Sequence, residues 1–498
     1  MRRVFGIVMS HTDLYSCGDR GGSEEPTQAY LRVRRGERRS DNEGIRVNAN
    51  WYKPLRVPRW LCLSLGVATW ILLSCSLLDA MAPVQRVALP NGLVVLTSEE
   101  HSLPFVTFKL LIHAGARRDP SGQGGLASLT ARALLFGTLK QSMASVNEQL
   151  DFMGASLSSD AGRDYMVLSL RVLKKDLGDG FKLFMEVLSQ PAFPADEVEN
   201  EVTRTLAAIR ASEDRPGEVA EKAFSKALYG AGPYGQPVIG TKESVEKLTV
   251  EGVRRFHGSC YDPNNSIMVI VGDIEEHALK DTIVPQLSAW KGRAAAVSAV
   301  ETKPENAKQT VMIDRPLTQA NLILGHEGIT RDNPDFYAVT VMNYILGGGG
   351  LTSRLMQEIR ERRGLAYSVS SNFDAGKYQG TFRIVLQTKN ASARDAIRLA
   401  VAQMSRIRTE LVAEKDLDGA KKYLIGSFPL RLITQDGIAG FLLQVEYLGL
   451  GLDYAERYPK LVQAVTAEDV LRVAKAYLHP EAYILVAVAN VEEAGFEK

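Results

Sequence analysis

The hydrophobic positions along this chain change period, and each change marks an element. Residues 105–115 read FVTFKLLIHAG, an apolar run of strand length ended by glycine, which predicts a strand covered on both faces. Residues 164–172, DYMVLSLRV, alternate apolar and polar and predict a strand with one covered face. Upstream, VALPNGLVVLTSEE at 87–100 places two apolar runs around Asn91-Gly92, the pattern of a β-hairpin. GLASLTARALLFGT at 125–138 reads as a helix entered through glycine and closed by glycine. A second helix is expected at 143–153, and long helical patterns run on to about residue 259. Strands interleaved with helices predict an α+β fold, sheet and helices packed in layers.

The pattern then repeats. TVEGVRRFHGSCYDPNNSIMVIV from Thr249 lies on TAEDVLRVAKAYLHPEAYILVAV from Thr466 without gaps. At this offset of 217, eight of 23 positions are identical, among them Thr249/Thr466, Arg255/Arg472, Pro263/Pro480, Ile267/Ile484 and Val271/Val488. Each copy reads as a capped helix, a turn with proline and an alternating strand. HAGARRDP at 113–120 likewise matches HEGITRDNP at 326–334, at offset 213. Two homologous layered α/β-sandwich halves follow, 83–300 and 301–498, with GRAAAVSAVETKPENAKQ at 292–309 as linker.

Composition adds less. The 498 residues are 45 % hydrophobic and 23 % charged, ordinary for globular domains, and a net charge of +1 gives no electrostatic footprint for nucleic acid. The charge is uneven: residues 1–82 hold 12 Lys/Arg and 8 Asp/Glu, a net of +4, which leaves 1 − 4 = −3 for the rest. Residues 1–59 form a basic leader of disordered composition, for which a start assigned too far upstream is one account. Trp60–Leu78 is a run of 19 residues without a charge, preceded by RVPR and followed by Ala80-Met81-Ala82. Residues 60–82 therefore read as a secretory signal, with a retained membrane anchor as the alternative. Export, with the body periplasmic or anchored facing the periplasm, is the expected location. Three of the four cysteines (Cys17, Cys62, Cys75) lie in this leader, so the body, with Cys260 alone, has no intrachain disulfide framework.

From about Val84 onward the chain resembles the pitrilysin/insulinase-type metallopeptidases, in particular their mitochondrial processing peptidase-like branch. The resemblance rests on PNGLVVL, the GxAxL…GT segment, GPYGQPVIGTKESVEKLT, YDPNNSIMVIVGD and, most specifically, LGGGGLTSRLMQEIRERRGLAYSVSS. In that family the first half carries H-x-x-E-H on a helix. Two His at i and i+4 share a helical face and bind Zn²⁺, and the Glu takes a proton from the metal-bound water. Here the two His positions align with Ser128 and Arg132, and the base position with Ala131. A later Glu ligand is expected near Ala207 or Ala208, and neither is a ligand. The seven His (11, 101, 113, 257, 277, 326 and 479) are nowhere closer than 12 residues, so no helix offers two at i and i+4. His326-Glu327 is a lone pair in a strand-like run and reads as structural.

The resemblance implies that the second half keeps its contribution to the cleft: Arg360 and Tyr367 in RERRGLAY, donors for substrate backbone and oxyanion. Gly347, Gly348, Gly349 and Gly350 lack the Gly-Lys-Ser/Thr of a phosphate loop; they suit a helix end and turn, and the resemblance adds a substrate-contacting role. The expectation is a non-catalytic subunit of a heterodimeric zinc endopeptidase. It binds no cofactor itself, Zn²⁺ belongs to a homologous subunit bearing the zinc motif, and an unfolded peptide is the substrate. The alternative is a structural or peptide-binding protein of the same fold with no role in proteolysis.

Overall fold

A computed structural model describes residues 82–292 and 308–496. The leader at 1–59, all but the last residue of the 60–82 segment, and linker residues 293–307 lie outside the described residues. Two mixed sheets form the framework. The first has the strand order β1-β2-β6-β3-β5-β4 and the second β7-β11-β8-β10-β9. In the first sheet β1 is Val84–Ala88, β2 Val94–Glu99, β3 Phe105–Ile112, β4 Ser156–Ala161, β5 Met166–Leu173 and β6 Ser266–Gly272. In the second β7 is Gln309–Asp314, β8 Gln319–Glu327, β9 Ala366–Ala375, β10 Gly380–Lys389 and β11 Ile484–Ala489. Apart from β1, the orders superimpose strand for strand, and so do the directions: β2/β6 and β7/β11 are parallel, the other neighbours antiparallel.

The repeat at offset 217 lands on matching elements. Thr249 caps the helix Val250–Cys260 by accepting the Gly252 N–H at 3.2 Å, and Thr466 caps Ala467–Tyr477 by accepting the Asp469 N–H at 3.1 Å. The strands that follow, β6 and β11, are buried at every residue, which is why they are apolar throughout rather than alternating. The Asn91-Gly92 hairpin forms, with Gly92 at φ +86° and the Asn91 amide donating to the Leu287 and Trp290 carbonyls. Only the glycine has positive φ, so the connection is not the two-residue turn with both central residues left-handed.

One face of each sheet is covered by its own half. Phe108, Leu110, Leu168, Leu170 and Ile270 pack under the helices Leu126–Ala133, Leu177–Ser189 and Val250–Cys260. The other face is covered by the opposite half. The helix Pro216–Tyr229 lies on β8 and β11, with Phe224 and Leu228 against Ile323, Ile484 and Val486. The helix Gln435–Leu448 lies on β3 and β6, placing Leu442 and Leu443 over Leu111 and Val269. The halves thus exchange corresponding helices. Ion pairs seal the exchange: Arg86 with Glu446 at 2.7 Å, Lys109 with Asp436 at 2.8 Å, Arg383 with Glu221 at 2.5 Å. Among the described residues no helix is long and apolar enough to cross a membrane.

Candidate functional site

The helix Leu126–Ala133 begins after Gly125, whose φ of +97° only glycine takes easily. A Cβ at Gly125 would stand 2.6 Å from the Ile239 carbonyl oxygen, so glycine is required there twice over. The buried end of this helix is held by Asp119, whose carboxylate accepts the N–H groups of Gly125 and Ala127, both at 2.7 Å. After Ala133 the chain tightens to a 3₁₀ turn and leaves at Gly137, φ +111°, so the α-helix ends earlier than the apolar pattern implied.

Ser128, Ala131 and Arg132 sit on this helix, the first two buried. The Arg132 guanidinium pairs with Glu201 at 3.0 Å and donates to the Thr205 hydroxyl at 3.2 Å and the Ser128 hydroxyl at 3.3 Å. Glu201 and Thr205 belong to the helix Ala195–Glu213. Ala207 and Ala208 lie on the same helix and are exposed. The buried stripe of this helix runs Val198, Glu201, Thr205, Ile209, Ser212, steps of three and four residues; Ala208, seven residues after Glu201, lies on the Glu201 side of the helix and Ala207 does not. Glu201, only 7 % exposed, also takes Arg204 at 3.3 Å. The volume between the two helices is thus closed by an arginine–carboxylate pair with hydroxyl partners. A permanent cation excludes Zn²⁺ from that volume, and among the described residues no group of three His, Cys, Asp or Glu could hold a metal. The residues do not fit the metal.

The second-half residues are arranged differently. Arg360 lies in the last turn of a wide helix, Met356–Glu361, which closes through Gly364 at φ +61°. Tyr367 follows on β9, the outer edge strand. The Arg360 guanidinium carbon lies 5.0 Å from the Tyr367 ring centroid, and Tyr367 is 72 % exposed. An exposed cation–π contact is worth under about 1 kcal/mol, so an incoming peptide can displace it without large cost. The structure brings this pair together; Arg132 and its partners form a separate cluster.

The glycine run is not a free loop. Gly347 is buried where a Cβ would meet the Ser371 nitrogen of β9 at 2.5 Å, and Gly349 folds back on Tyr344, whose carbonyl oxygen would lie 2.8 Å from a Cβ. Gly348 and Gly350 are exposed, the latter at φ +56°. The run therefore docks its helix against the strand that carries Tyr367.

His326 is a satisfied core histidine. Its Nε2 accepts the His479 N–H at 3.2 Å, so Nδ1 carries the proton and donates to the Glu327 carbonyl at 2.7 Å. Burial lowers its pKa to about 4, which keeps the ring neutral.

Two family models match the chain: insulinase (peptidase family M16) over residues 94–242 and the peptidase M16 inactive domain over 247–424. The crystal structure of a peptidase M16 inactive domain from Pseudomonas fluorescens is similar at 31 % identity and a TM-score of 0.76, covering 82 % of this chain and 98 % of that one. The chain belongs to peptidase family M16. An uncharacterized zinc protease of Streptomyces coelicolor is 27 % identical over 405 residues, 79 % of this chain and 87 % of that protein. A non-peptidase homolog of Helicobacter pylori is 26 % identical over 398 residues, 80 % and 91 % of the two chains. Lacking ligands and base at the H-x-x-E-H positions, this chain is an inactive-type M16 homologue.

Glu201 and Thr205 escaped the reading of the sequence. The signal was there: the 3.6-residue stripe through ENEVTRTL puts both on one face of the helix.

Proposed function

We propose that the chain is the non-catalytic subunit of a heterodimeric zinc endopeptidase, exported and facing the periplasm. The partner, a homologous subunit with the zinc motif, supplies Zn²⁺, base and water. This chain supplies a wall of the cleft, Arg360 and Tyr367 as donors to the peptide backbone and oxyanion, and the exposed glycines as a contact. The carrying observation is a contrast: in the first half Arg132 is committed to the buried carboxylate of Glu201, while in the second, half-exposed Arg360 stands beside Tyr367, whose ring is open to solvent. Support for an extended peptide comes from the outer edges. β4 carries no Lys or Pro, the residues that commonly block strand addition, which suits it to accept another strand.

The test mixes the purified chain with the zinc-motif homologue of the same organism and measures zinc content, association and cleavage of a quenched peptide library. The chain alone is expected to be metal-free and inert and the mixture active. Arg360→Ala and Tyr367→Phe are each expected to lower kcat about 10²-fold, as loss of an oxyanion donor does. A mixture that does not associate, or whose rate ignores both substitutions, would refute the proposal.

A further inference from the structure

The duplication allows corresponding parts of the halves to be compared, and one end of the first sheet differs from its counterpart. At that end the connection from β2 to β3 reads EHSLP, residues 100–104; the matching connection from β7 to β8 reads RPLT, residues 315–318. Leu317 packs against the core, whereas Leu103 is more than half exposed. The five residues before each exchanged helix differ in the same sense. Before Pro216 they read ASEDR, with Glu213, Asp214 and Arg215 exposed. Before Gln435 they read LRLIT, with Leu430 and Ile433 each more than half exposed. Three residues apart on a 3₁₀ turn, Leu430 and Ile433 share one face. The other copy of the fold exposes no leucine or isoleucine to this degree at either place, so the fold itself does not require them.

These segments lie at one end of the sheet, and the body of the chain starts there too. The Gln435 side-chain amide donates to the carbonyls of Glu100 and Leu103, at 3.4 and 3.5 Å. Glu100 follows β2 directly; beside it β1 begins, with Val84 paired to Ser98 and the Ser98 hydroxyl donating to the Ala82 carbonyl at 3.3 Å. In the sequence the uncharged run Trp60–Leu78 stops just before this point, with Asp79, Ala80 and Met81 between. Four backbone steps from Leu78 to Ala82 reach at most about 14 Å.

We propose that the leader is retained as a membrane anchor and that this end of the first sheet rests on a phospholipid bilayer, with Leu103, Leu430 and Ile433 entering its surface. An exposed apolar patch marks a protein or a membrane contact, and the short tether selects the membrane, because an anchor in the bilayer holds this face against it. The charges at this end are matched among themselves: Lys174 pairs with Asp273 and Glu275 at 2.9 Å, and His101 with Asp273 at 2.7 Å. The contact is therefore apolar and fits zwitterionic headgroups, without a call on anionic lipid. The proposal is independent of the peptide-binding reading above.

The experiment uses the full chain with a protease site inserted between Asp79 and Ala80, reconstituted into vesicles of phosphatidylcholine and phosphatidylethanolamine. The protease cuts the tether, and sedimenting the vesicles gives the fraction of the body that stays bound. The body is expected to stay on the vesicles, with a partition coefficient unchanged by raised salt or added phosphatidylglycerol. Leu430→Ser with Ile433→Ser should lower that coefficient about 10-fold, the scale of about two methylenes withdrawn from an apolar phase. Leu139→Ser, an exposed leucine beside Gln190 at the far end of the helix Leu177–Ser189, should leave it unchanged. Circular dichroism checks that each variant is folded. A body released as soon as the tether is cut, or a partition that ignores the paired serines, overturns the proposal. A partition that rises with phosphatidylglycerol and falls with salt does so too, since the contact is then electrostatic. A freed body that sediments as a dimer, and as a monomer with the paired serines, assigns the patch to a second copy and also overturns it. Mass spectrometry of the chain from its own membranes should find residues 60–82 still attached; a mature chain starting within 79–83 overturns the anchor.

Discussion

Arg132 is expected to hold the first half together where a metal would otherwise do so. Replacing it by methionine keeps the apolar stem and removes the charge. Glu201, 7 % exposed, then loses its 3.0 Å partner, and Ser128 and Thr205 lose a donor. Stripping one partner from a fully buried pair costs about 3–5 kcal/mol, and an exposed pair is worth about 0–1. This pair lies between: the Arg132 side chain is 35 % exposed, and Arg204 remains 3.3 Å from Glu201. A loss of about 2 kcal/mol follows. Arg132→Met with Glu201→Leu should recover most of it, since the uncompensated carboxylate is then gone. Urea titration followed by circular dichroism, with both single variants and the pair, gives the coupling energy directly. An unchanged midpoint for Arg132→Met, or strictly additive effects, would show that the pair is a surface contact and that the reasoning is wrong.

Other consequences can be measured independently. Ser128→His with Arg132→His puts two imidazoles on one helical face opposite Glu201, so this variant is expected to hold close to one Zn²⁺ per chain by elemental analysis, against none expected for the parent. His326 titrates near 4 folded and near 6.5 unfolded, so the unfolded chain takes up the proton first as pH falls, and stability drops between pH 6.5 and 4. The His326 share of that drop is about 3 kcal/mol; burial lowers His113 to about 4 as well, so His326→Gln should make that part of a Tm-against-pH curve shallower without flattening it. Asp119→Ala leaves the N–H groups of Gly125 and Ala127 without their acceptor and should cost about 1–2 kcal/mol in a denaturant titration. Gly347→Ala forces a Cβ to within 2.5 Å of the Ser371 nitrogen and should lower Tm by several degrees.

Much of this architecture could be read from the residues. The repeat at offset 217 needed no family, because a capped helix followed by a strand buried on both faces leaves a dense, distinctive apolar pattern, and the two copies sit at equivalent places in their sheets. The helical stretch bearing Ser128 and Arg132 was equally legible. Its ion-pair partner was not, because the resemblance draws attention to Ala207 and Ala208, while Glu201 stands about two turns earlier on the same helix. Nor could periodicity reveal the exchanged helices: an apolar stripe on Pro216–Tyr229 states that one face is covered, not which sheet covers it. The four glycines read as a loop because glycine marks both flexible turns and close packing, and only the Ser371 backbone distinguishes these.

The helix exchange also has a consequence for how the chain is made. The first sheet is complete once β6 ends at Gly272, but its second cover, Gln435–Leu448, is translated 448 − 272 = 176 residues later. At about 5–20 residues per second, Leu111, Ile267 and Val269 stay uncovered on the nascent chain for roughly 10–35 s. During that interval the half-made protein presents an apolar sheet face to the crowded cell. Its yield is therefore governed by chaperone access and elongation rate as much as by the stability of the finished fold.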